Sequence, residues 1–224
     1  EVAGVAMPVI NMAGASGAIA GNHVQEQPAD GYTIWAMGSN YVVNVALDRT
    51  PHQVADYIPI ARIQHDTATI QVARNSRFET IDQLVDYARE NPYAVLMGGT
   101  GAASFDEVVV ALFSEEVGIN VTYIPFESAG EMHTALMGGH IDAMFEEFGP
   151  TIGLIEDGSI RVLVSFTEER IEAFPDVPST VEKGWNVTNG IWRGVMVRKD
   201  TPQEIVDFLR DVFREAKDDP LQRN

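Results

Sequence analysis

The 224-residue sequence has no cysteine and few basic residues: 15 lysines and arginines stand against 33 aspartates and glutamates, a formal net charge of −18. The lack of cysteine excludes disulfides, thiolate metal sites and cysteine nucleophiles. The negative charge repels phosphate backbones and anionic membrane faces, so we expect no nucleic-acid partner. It also repels anionic ligands at long range, so any anion site in this chain would need strong local dipoles.

Long apolar runs are missing as well. No stretch approaches the ~18–20 uninterrupted apolar residues that span a bilayer, and Glu1 begins inside folded-looking sequence instead of a signal peptide. We therefore expect any export signal to be absent from this chain. A hydrophobic content of 45% over this length suits one large or two small globular domains.

Short apolar runs alternate with helical patterns along the chain, which is typical of βα units that feed a largely parallel sheet. The sequence therefore predicts an α/β fold. We expect strands near residues 8–12, 32–37, 58–64, 70–73, 95–98, 121–125, 141–145, 160–165 and 191–197. Capping boxes, in which Ser or Thr precedes Glu or Gln by three residues, predict helix starts at Thr80, Ser104, Ser128 and Thr201.

Three strand-to-helix turns are rich in small residues: 11–17, 98–104 and 126–130. Small residues let a ligand approach the backbone, and the helix beyond presents unpaired N–H groups and about half a unit of positive charge. Such turns are typical binding sites for anions. The alternative, that the glycines only satisfy tight turn geometry, stays open at this point.

Enzymatic interpretations of the same turns also stay open. The segment 99–104 approximates a dinucleotide fingerprint without its third glycine, with Glu127 near the position of a ribose-binding acid. Ser16 lies in a segment similar to a hydrolase nucleophile elbow, but no histidine stands in a recognisable catalytic setting. No pair of histidines has metal-ligand spacing, so we expect no metal site. We also expect no cofactor.

Glu146 and Glu147 form an acidic pair at the end of a predicted strand. The pair is either a solvated turn or part of the site, where it would accept a hydrogen bond from a ligand's ammonium, hydroxyl or protonated carboxyl group.

The order of motifs along the chain resembles that of the substrate-binding proteins of tripartite tricarboxylate transporters, also called Bug proteins. The matching segments are 11–17, 28–33, 99–104, 123–130, 136–143, 175–180, and 192–194 with 201–202. The resemblance implies a type II periplasmic binding protein fold with mainly parallel sheets and a cleft between two lobes. Lobe 1 would comprise residues 1–75 and 194–224, and lobe 2 residues 76–193.

The resemblance further implies a periplasmic, monomeric receptor without enzymatic activity. It would hand a small carboxylate, such as a di- or tricarboxylate, to the membrane components of a transporter. Backbone N–H groups and water at helix starts would hold the ligand. The corresponding loop residues here are Ala15, Ser16, Gly17, Gly38, Ser39, Asn40, Thr100, Gly101, Ala102, Ser104, Phe126, Glu127, Ser128 and Gly130, with Glu146 and Glu147 where the family varies its selectivity.

The sequence departs from the family's pattern in three places. The strand and Pro-Gly-Gly turn that open the family's chains would precede Glu1, and a final strand and helix would follow Asn224, so we expect both ends to be truncated. A histidine is common in the family at the position of Glu107. The acid at this position is expected to affect how much negative charge on a ligand this helix start accepts.

Overall fold

The computed structural model describes residues 6–12 and 14–217, apart from the side chain of Ser16. The chain divides into two compact units: unit 1 comprises Glu1–His65 and Trp192–Asn224, and unit 2 comprises Asp66–Ile191. Helices and strands alternate through both units, and the α/β class predicted from the sequence is confirmed. The elements are α1 (Ala18–Glu26), β1 (Trp35–Gly38), α2 (Ser39–Ala46), β2 (Tyr57–Ala73), α3 (Ile81–Glu90), β3 (Leu96–Thr100), α4 (Phe105–Val117), β4 (Thr122–Phe126), α5 (Ala129–Met137), β5 (Ala143–Glu147), α6 (Phe148–Glu156), β6 (Ile160–Ser165), β7 (Gly190–Arg198) and α7 (Gln203–Lys217).

Unit 1 is built around β7, which lies between β1 and the first part of β2. β1 and β7 are antiparallel, with Trp35 opposite Met196 and Gly38 opposite Arg193. The aromatic rings of Trp35, Tyr41 and Tyr57 pack on one another and form the centre of a buried cluster. Buried aromatic packing of this kind holds the start of α2 against the sheet.

Unit 2 carries the larger core and a sheet in which the second part of β2, then β5, β3 and β4 are neighbours, with β6 also paired to β2. β4, β3 and β5 are parallel, as expected for successive βα units. β2 pairs antiparallel with β5 and β6. Helix α4 buries Val109, Val110 and Phe113 in the main core, while α5 buries Met132 and Leu136 in a second cluster.

The chain passes between the units inside β2 and inside β7, after His65 and before Trp192. The sequence predicts these breaks after residues 75 and 193, and predicts two strands, 58–64 and 70–73, where the structure has the single strand β2. Residues 62–65 are exposed and polar or charged apart from Ile63, a composition that resembles a turn. A long strand with an exposed middle therefore cannot be told from two short strands by hydrophobic pattern alone.

Two further sequence predictions are wrong. Residues 8–12 form no strand, and Val9 and Ile10 are 88% and 76% exposed, because an apolar run becomes a strand only where another strand pairs with it. The capping box at Thr201 is also not formed: α7 begins at Gln203, and the Thr201 hydroxyl is buried with no hydrogen-bond partner in the described part of the chain. The other three capping residues accept hydrogen bonds as predicted.

Candidate functional site

The turns 100–104 and 126–130 of unit 2 lie side by side. Thr100 at the end of β3 is paired with Phe126 at the end of β4, and the N–H of Gly101 donates to the carbonyl of Phe126 at 2.9 Å. β5 runs parallel to β3 on its other side. The carboxyl ends of three strands therefore meet at one edge of the sheet, which is where open α/β sheets bind ligands.

Tyr123 shapes the first of these turns. Its hydroxyl donates to the carbonyl of Gly101 at 3.0 Å and lies 3.3 Å from the Ser104 hydroxyl. A Cβ on Gly99 would stand 2.5 Å from the Tyr123 hydroxyl oxygen. The need for glycine at position 99 is thus explained by the packing of Tyr123, without a bound pyrophosphate.

The chain's own carboxylates occupy much of the hydrogen-bonding capacity of this turn. Asp106 Oδ2 accepts hydrogen bonds from the N–H and the hydroxyl of Thr100, at 2.8 and 2.7 Å. Glu107 Oε2 accepts one from the N–H of Ala103 at 2.5 Å. Carboxylates favour helix starts because of the dipole and the unpaired amides there. The N–H of Thr100, which the sequence assigns to a ligand carboxylate, is therefore bound by Asp106, and the N–H of Ala103 in the same turn is bound by Glu107.

The start of α5 is arranged differently. Ser128 caps the helix by accepting a hydrogen bond from the N–H of Glu131 at 3.3 Å. Ala129 and Gly130 are the next residues, and amides at these first helical positions have no acceptor within the helix. Ser128 and Gly130 are exposed, and a Cβ on Gly130 would meet nothing within 4 Å. A side chain at position 130 would therefore point into open space.

Three buried carboxyl groups lie close to these turns, and we call Asp106, Glu146 and Glu147 the acid cluster. They are 5%, 5% and 7% exposed. Glu146 Oε2 lies 2.8 Å from His133 Nε2 of α5, and Glu146 Oε1 accepts a hydrogen bond from the N–H of Glu147 at 3.0 Å. The acidic pair is therefore not a solvated turn.

Burial shifts the pKa values of Asp106 and Glu146 toward the neutral forms. It raises the pKa of Asp106 from 3.8 to about 6, against the hydrogen bonds from Thr100, and the charge of Glu147 adds to this increase. Burial also raises the pKa of Glu146, to which the charge of Asp106 contributes. Burial lowers the pKa of His133. Burial therefore disfavours the charged forms of both His133 and Glu146, the two side chains that contact each other.

A buried polar layer supports the backbone of Glu146 and Glu147. The Thr69 hydroxyl donates to the carbonyl of Glu146 at 2.7 Å. Gln71 Nε2 donates to the Thr69 hydroxyl, the Thr151 hydroxyl and the Glu147 carbonyl, at 2.8, 3.0 and 3.3 Å. Gln71 Oε1 is buried and has no hydrogen-bond partner within residues 6–12 and 14–217. The layer thus holds an acceptor that lacks a donor.

The predicted site residues of unit 1 also come together. Residues 15–17 form a short 3₁₀ turn before α1, and Asn44 of α2 donates from Nδ2 to the carbonyl of Ala15 at 2.7 Å. Gly17 has a φ of +92°, a conformation that favours glycine. Ser39 begins α2 after Gly38, and its buried hydroxyl accepts a hydrogen bond from the N–H of Trp192 at 3.0 Å. The Ser39 side chain is therefore part of the packing of unit 1; Asn40 beside it is exposed.

The sequence does not predict Asp106, His133 or the Thr69–Gln71–Thr151 layer as parts of the candidate site in unit 2. Asp106 follows a predicted helix cap by two residues, a place where acids are common for helix stability alone. His133 and Glu146 are 13 residues apart on a helix and the next strand, so only the fold brings them together. No local pattern marks such a pair.

Within the described ranges, no group of three or more His, Asp or Glu side chains is arranged to hold a metal ion. In the same part of the chain, no helix combines the length and the apolarity needed to cross a membrane.

The family model described as "Tripartite tricarboxylate transporter family receptor" matches residues 3–224. A relative from Bordetella bronchiseptica, named only as a UPF0065 protein, is 28% identical over 210 residues, which cover 92% of this chain and 62% of the relative. The chain thus spans about three fifths of the length of this relative. A solved TctC solute-binding protein from Polaromonas, without ligand, is similar with a TM-score of 0.83 and 28% identity, covering 96% of this chain and 74% of that one.

A second solved structure is MatC from Rhodopseudomonas palustris with bound malate, at a TM-score of 0.78 and 22% identity. The match covers 94% of this chain and 73% of that one. At this identity the likeness shows the fold alone, which is the mixed α/β fold of the periplasmic binding proteins.

Proposed function

The chain belongs to the tripartite tricarboxylate transporter receptor family, and we propose that it is a periplasmic solute-binding protein that captures a small carboxylate. It would deliver this ligand, as a monomer, to the membrane components of a tripartite tricarboxylate-type transporter. The family match over residues 3–224 is the observation that carries the proposal.

The geometry of unit 2 supports anion capture at the start of α5. The amides of Ala129 and Gly130 have no acceptor within the helix, and they sit at the positive end of a nine-residue helix. A carboxylate bound there would accept hydrogen bonds from these backbone N–H groups. Hydrogen bonds to a charged acceptor are stronger than those between two neutral groups. No covalent step is required, in keeping with a family of receptors and not of enzymes.

The first test is native mass spectrometry of freshly purified protein. A receptor is expected to retain a small organic acid, which calorimetry then confirms as a ligand that is bound and released unchanged. The enzymatic alternative predicts instead a retained nicotinamide cofactor, or ester cleavage that is lost in Ser16→Ala. Either of those results would contradict the receptor function.

Adding a negative charge at the start of α5 is expected to weaken carboxylate binding. In Ser128→Asp the new side chain still caps the helix, since Asp is as good a capping residue as Ser, but its charge competes with the ligand for the same amides. We expect the dissociation constant of the co-purified acid to rise by about tenfold or more, which corresponds to ~1.4 kcal/mol, in titration calorimetry.

The matched control is Thr80→Asp, which makes the same change at the capping residue of α3 in the same unit. It is expected to leave the dissociation constant unchanged, and both variants should unfold at the same denaturant concentration as the parent. Equal binding by Ser128→Asp and the parent would rule out the start of α5 as the carboxylate site.

A further inference from the structure

His133 lies one turn into α5, on the same face of the helix as its first residues. It follows Ala129 by four positions and Gly130 by three, and side chains at these spacings are neighbours on a helix. Helix side chains also lean toward the amino-terminal end, so the ring leans toward the turn whose amides are proposed to bind the carboxylate. Ala129 has only a methyl group and Gly130 has no side chain, so neither covers this turn.

The two ring nitrogens of His133 have different surroundings. Nε2 lies 2.8 Å from Oε2 of Glu146, whose Oε1 accepts a hydrogen bond from the N–H of Glu147 at 3.0 Å. Nδ1 has no hydrogen-bond partner among the residues that the structure describes, although the side chain is only 14% exposed. Such an unpaired nitrogen is uncommon, because burying a polar group without a hydrogen bond costs free energy. Nδ1 is therefore available to a ligand.

The protonation of Glu146 decides what Nδ1 offers, because a neutral histidine carries its proton on one ring nitrogen and accepts at the other. If the Glu146 carboxyl group donates to Nε2, the ring proton is on Nδ1 and can be donated. If Glu146 is ionised and the ring is neutral, Nε2 keeps the proton and Nδ1 presents a lone pair, which repels a carboxylate. Burial disfavours the charged forms of both side chains and so favours the first arrangement.

We propose that His133 is a ligand-binding residue that donates from Nδ1 to the carboxylate held at the start of α5, and that Glu146 positions its proton through Nε2. The inference rests on the proposed receptor function and adds a side-chain donor to the backbone amides. Binding then requires two protons on the His133–Glu146 pair, whether they are held as a neutral pair or as an ion pair. Capture of the carboxylate is therefore linked to pH.

Other titratable groups lie near this ring. Strands β3, β4 and β5 pack against α5. β3 has no titratable side chain, β4 contributes Tyr123, and β5 contributes Glu146 and Glu147. Burial raises the pKa of Tyr123 far above its usual range, so this group stays neutral. Asp106 acts through its charge on Glu146, and Glu131 of α5 itself is exposed. Glu146 is the group that contacts the ring, and it dominates the titration.

The first measurement is the pH dependence of binding. Titration calorimetry uses malate, succinate and butyrate as probes between about pH 6.5 and 9, where these carboxylates are ionised. The bound state holds one proton more than a free pair that has lost a proton, so raising the pH weakens binding. We expect the dissociation constant to rise by about tenfold or more over this range. Titrations in buffers of different ionisation enthalpy should show proton uptake, and a dissociation constant independent of pH would overturn the inference.

Two variants of His133 separate its nitrogens. Glutamine in His133→Gln can keep the contact with Glu146 but has no group at the place of Nδ1, so the dissociation constant should rise by about tenfold or more at pH 6.5. Asparagine in His133→Asn places an amide N–H near the position of Nδ1 and should retain more of the affinity. Neither side chain titrates, so both variants should remove most of the proton uptake.

Glu146→Gln is expected to make binding independent of pH. The glutamine oxygen accepts the hydrogen bond from the N–H of Glu147, which turns the NH₂ group toward Nε2 of His133. This amide donates at every pH and keeps the ring proton on Nδ1. We therefore expect the variant to bind the probes at pH 9 about tenfold or more tightly than the parent does.

The matched control is His140→Gln, at an exposed position just after α5, which should follow the pH profile of the parent. Denaturant unfolding checks that each variant is folded, and the pH profile of the parent requires no variant. If Glu146→Gln binds as weakly as the parent at pH 9, or His133→Gln keeps the parental affinity, the inference is overturned and the receptor function stands. Failure of the parent to bind any probe, with no acid retained after purification, would overturn the receptor function as well.

Discussion

Asp106→Asn is expected to make the protein more stable near pH 8, by about 1–3 kcal/mol in the free energy of unfolding. Burial raises the pKa of this carboxyl from 3.8 to about 6, so between these values the folded protein holds a proton that the unfolded chain has lost. The contribution of the group to stability therefore falls as the pH rises through about 6 and is recovered as the pH falls toward 4. Asparagine removes the buried charge, and its amide oxygen still accepts the two hydrogen bonds from Thr100.

Urea unfolding of parent and variant from about pH 4 to 8 measures this difference, which should be largest at the alkaline end and vanish at the acid end. Carboxylates whose pKa is lowered, such as Asp157, also make stability depend on pH. Their contribution is the same in both proteins, so it cancels when one free energy of unfolding is subtracted from the other. Asp86→Asn on α3, where the side chain is 72% exposed, is the control and should shift stability by less than ~0.5 kcal/mol. A parent and an Asp106→Asn variant with parallel pH profiles would contradict the buried-charge explanation.

Gly99→Val is expected to lower the free energy of unfolding by about 1–3 kcal/mol and to weaken ligand binding as well. A Cβ at this position would lie 2.5–2.9 Å from atoms of the Tyr123 ring and hydroxyl, so the tyrosine must move. The same hydroxyl holds the carbonyl of Gly101, and its displacement releases the turn before α4. Denaturant unfolding and calorimetry measure the two effects.

A double-mutant cycle with Tyr123→Ala isolates the contact. Once the ring is removed, valine at position 99 should cost much less, which gives a coupling energy of ~0.5–3 kcal/mol. Gly153→Ala in α6, where a Cβ would meet nothing within 4 Å, is the control and should be neutral or stabilising by up to ~1 kcal/mol. An equal cost of Gly99→Val with and without the tyrosine would show that the clash is not the cause.

Local sequence patterns predict the frame of the site well. The turns 100–104 and 126–130 follow adjacent parallel strands, so their proximity follows from alternating βα units, and the caps at Ser104 and Ser128 are visible as spaced residue pairs. The pattern that predicts the Ser104 helix start also contains Glu107. What the pattern does not reveal is that Glu107 then accepts a hydrogen bond from the N–H of Ala103, in the same turn as residues predicted to bind the ligand.

The acid cluster is less predictable, because its properties come from burial and long-range pairing. Sequence alone leaves open whether Glu146 and Glu147 are solvated, since an acidic pair after a strand is common on surfaces. Their burial depends on α5 covering the end of β5 and on the Gln71 layer beneath, whose contacts with the pair join residues 76 and 77 positions apart. For the same reason the pKa of Asp106 cannot be read from its neighbours in the chain.

The position of β7 between β1 and β2 has a consequence for biosynthesis. Unit 2 is one continuous stretch of chain, whereas the strands of unit 1 that precede it lack their shared neighbour until residues 190–198 have been made. Domains generally fold as units while the ribosome extends the chain. Unit 2 can therefore fold first on the ribosome, while the amino-terminal strands of unit 1 must wait for β7 to emerge.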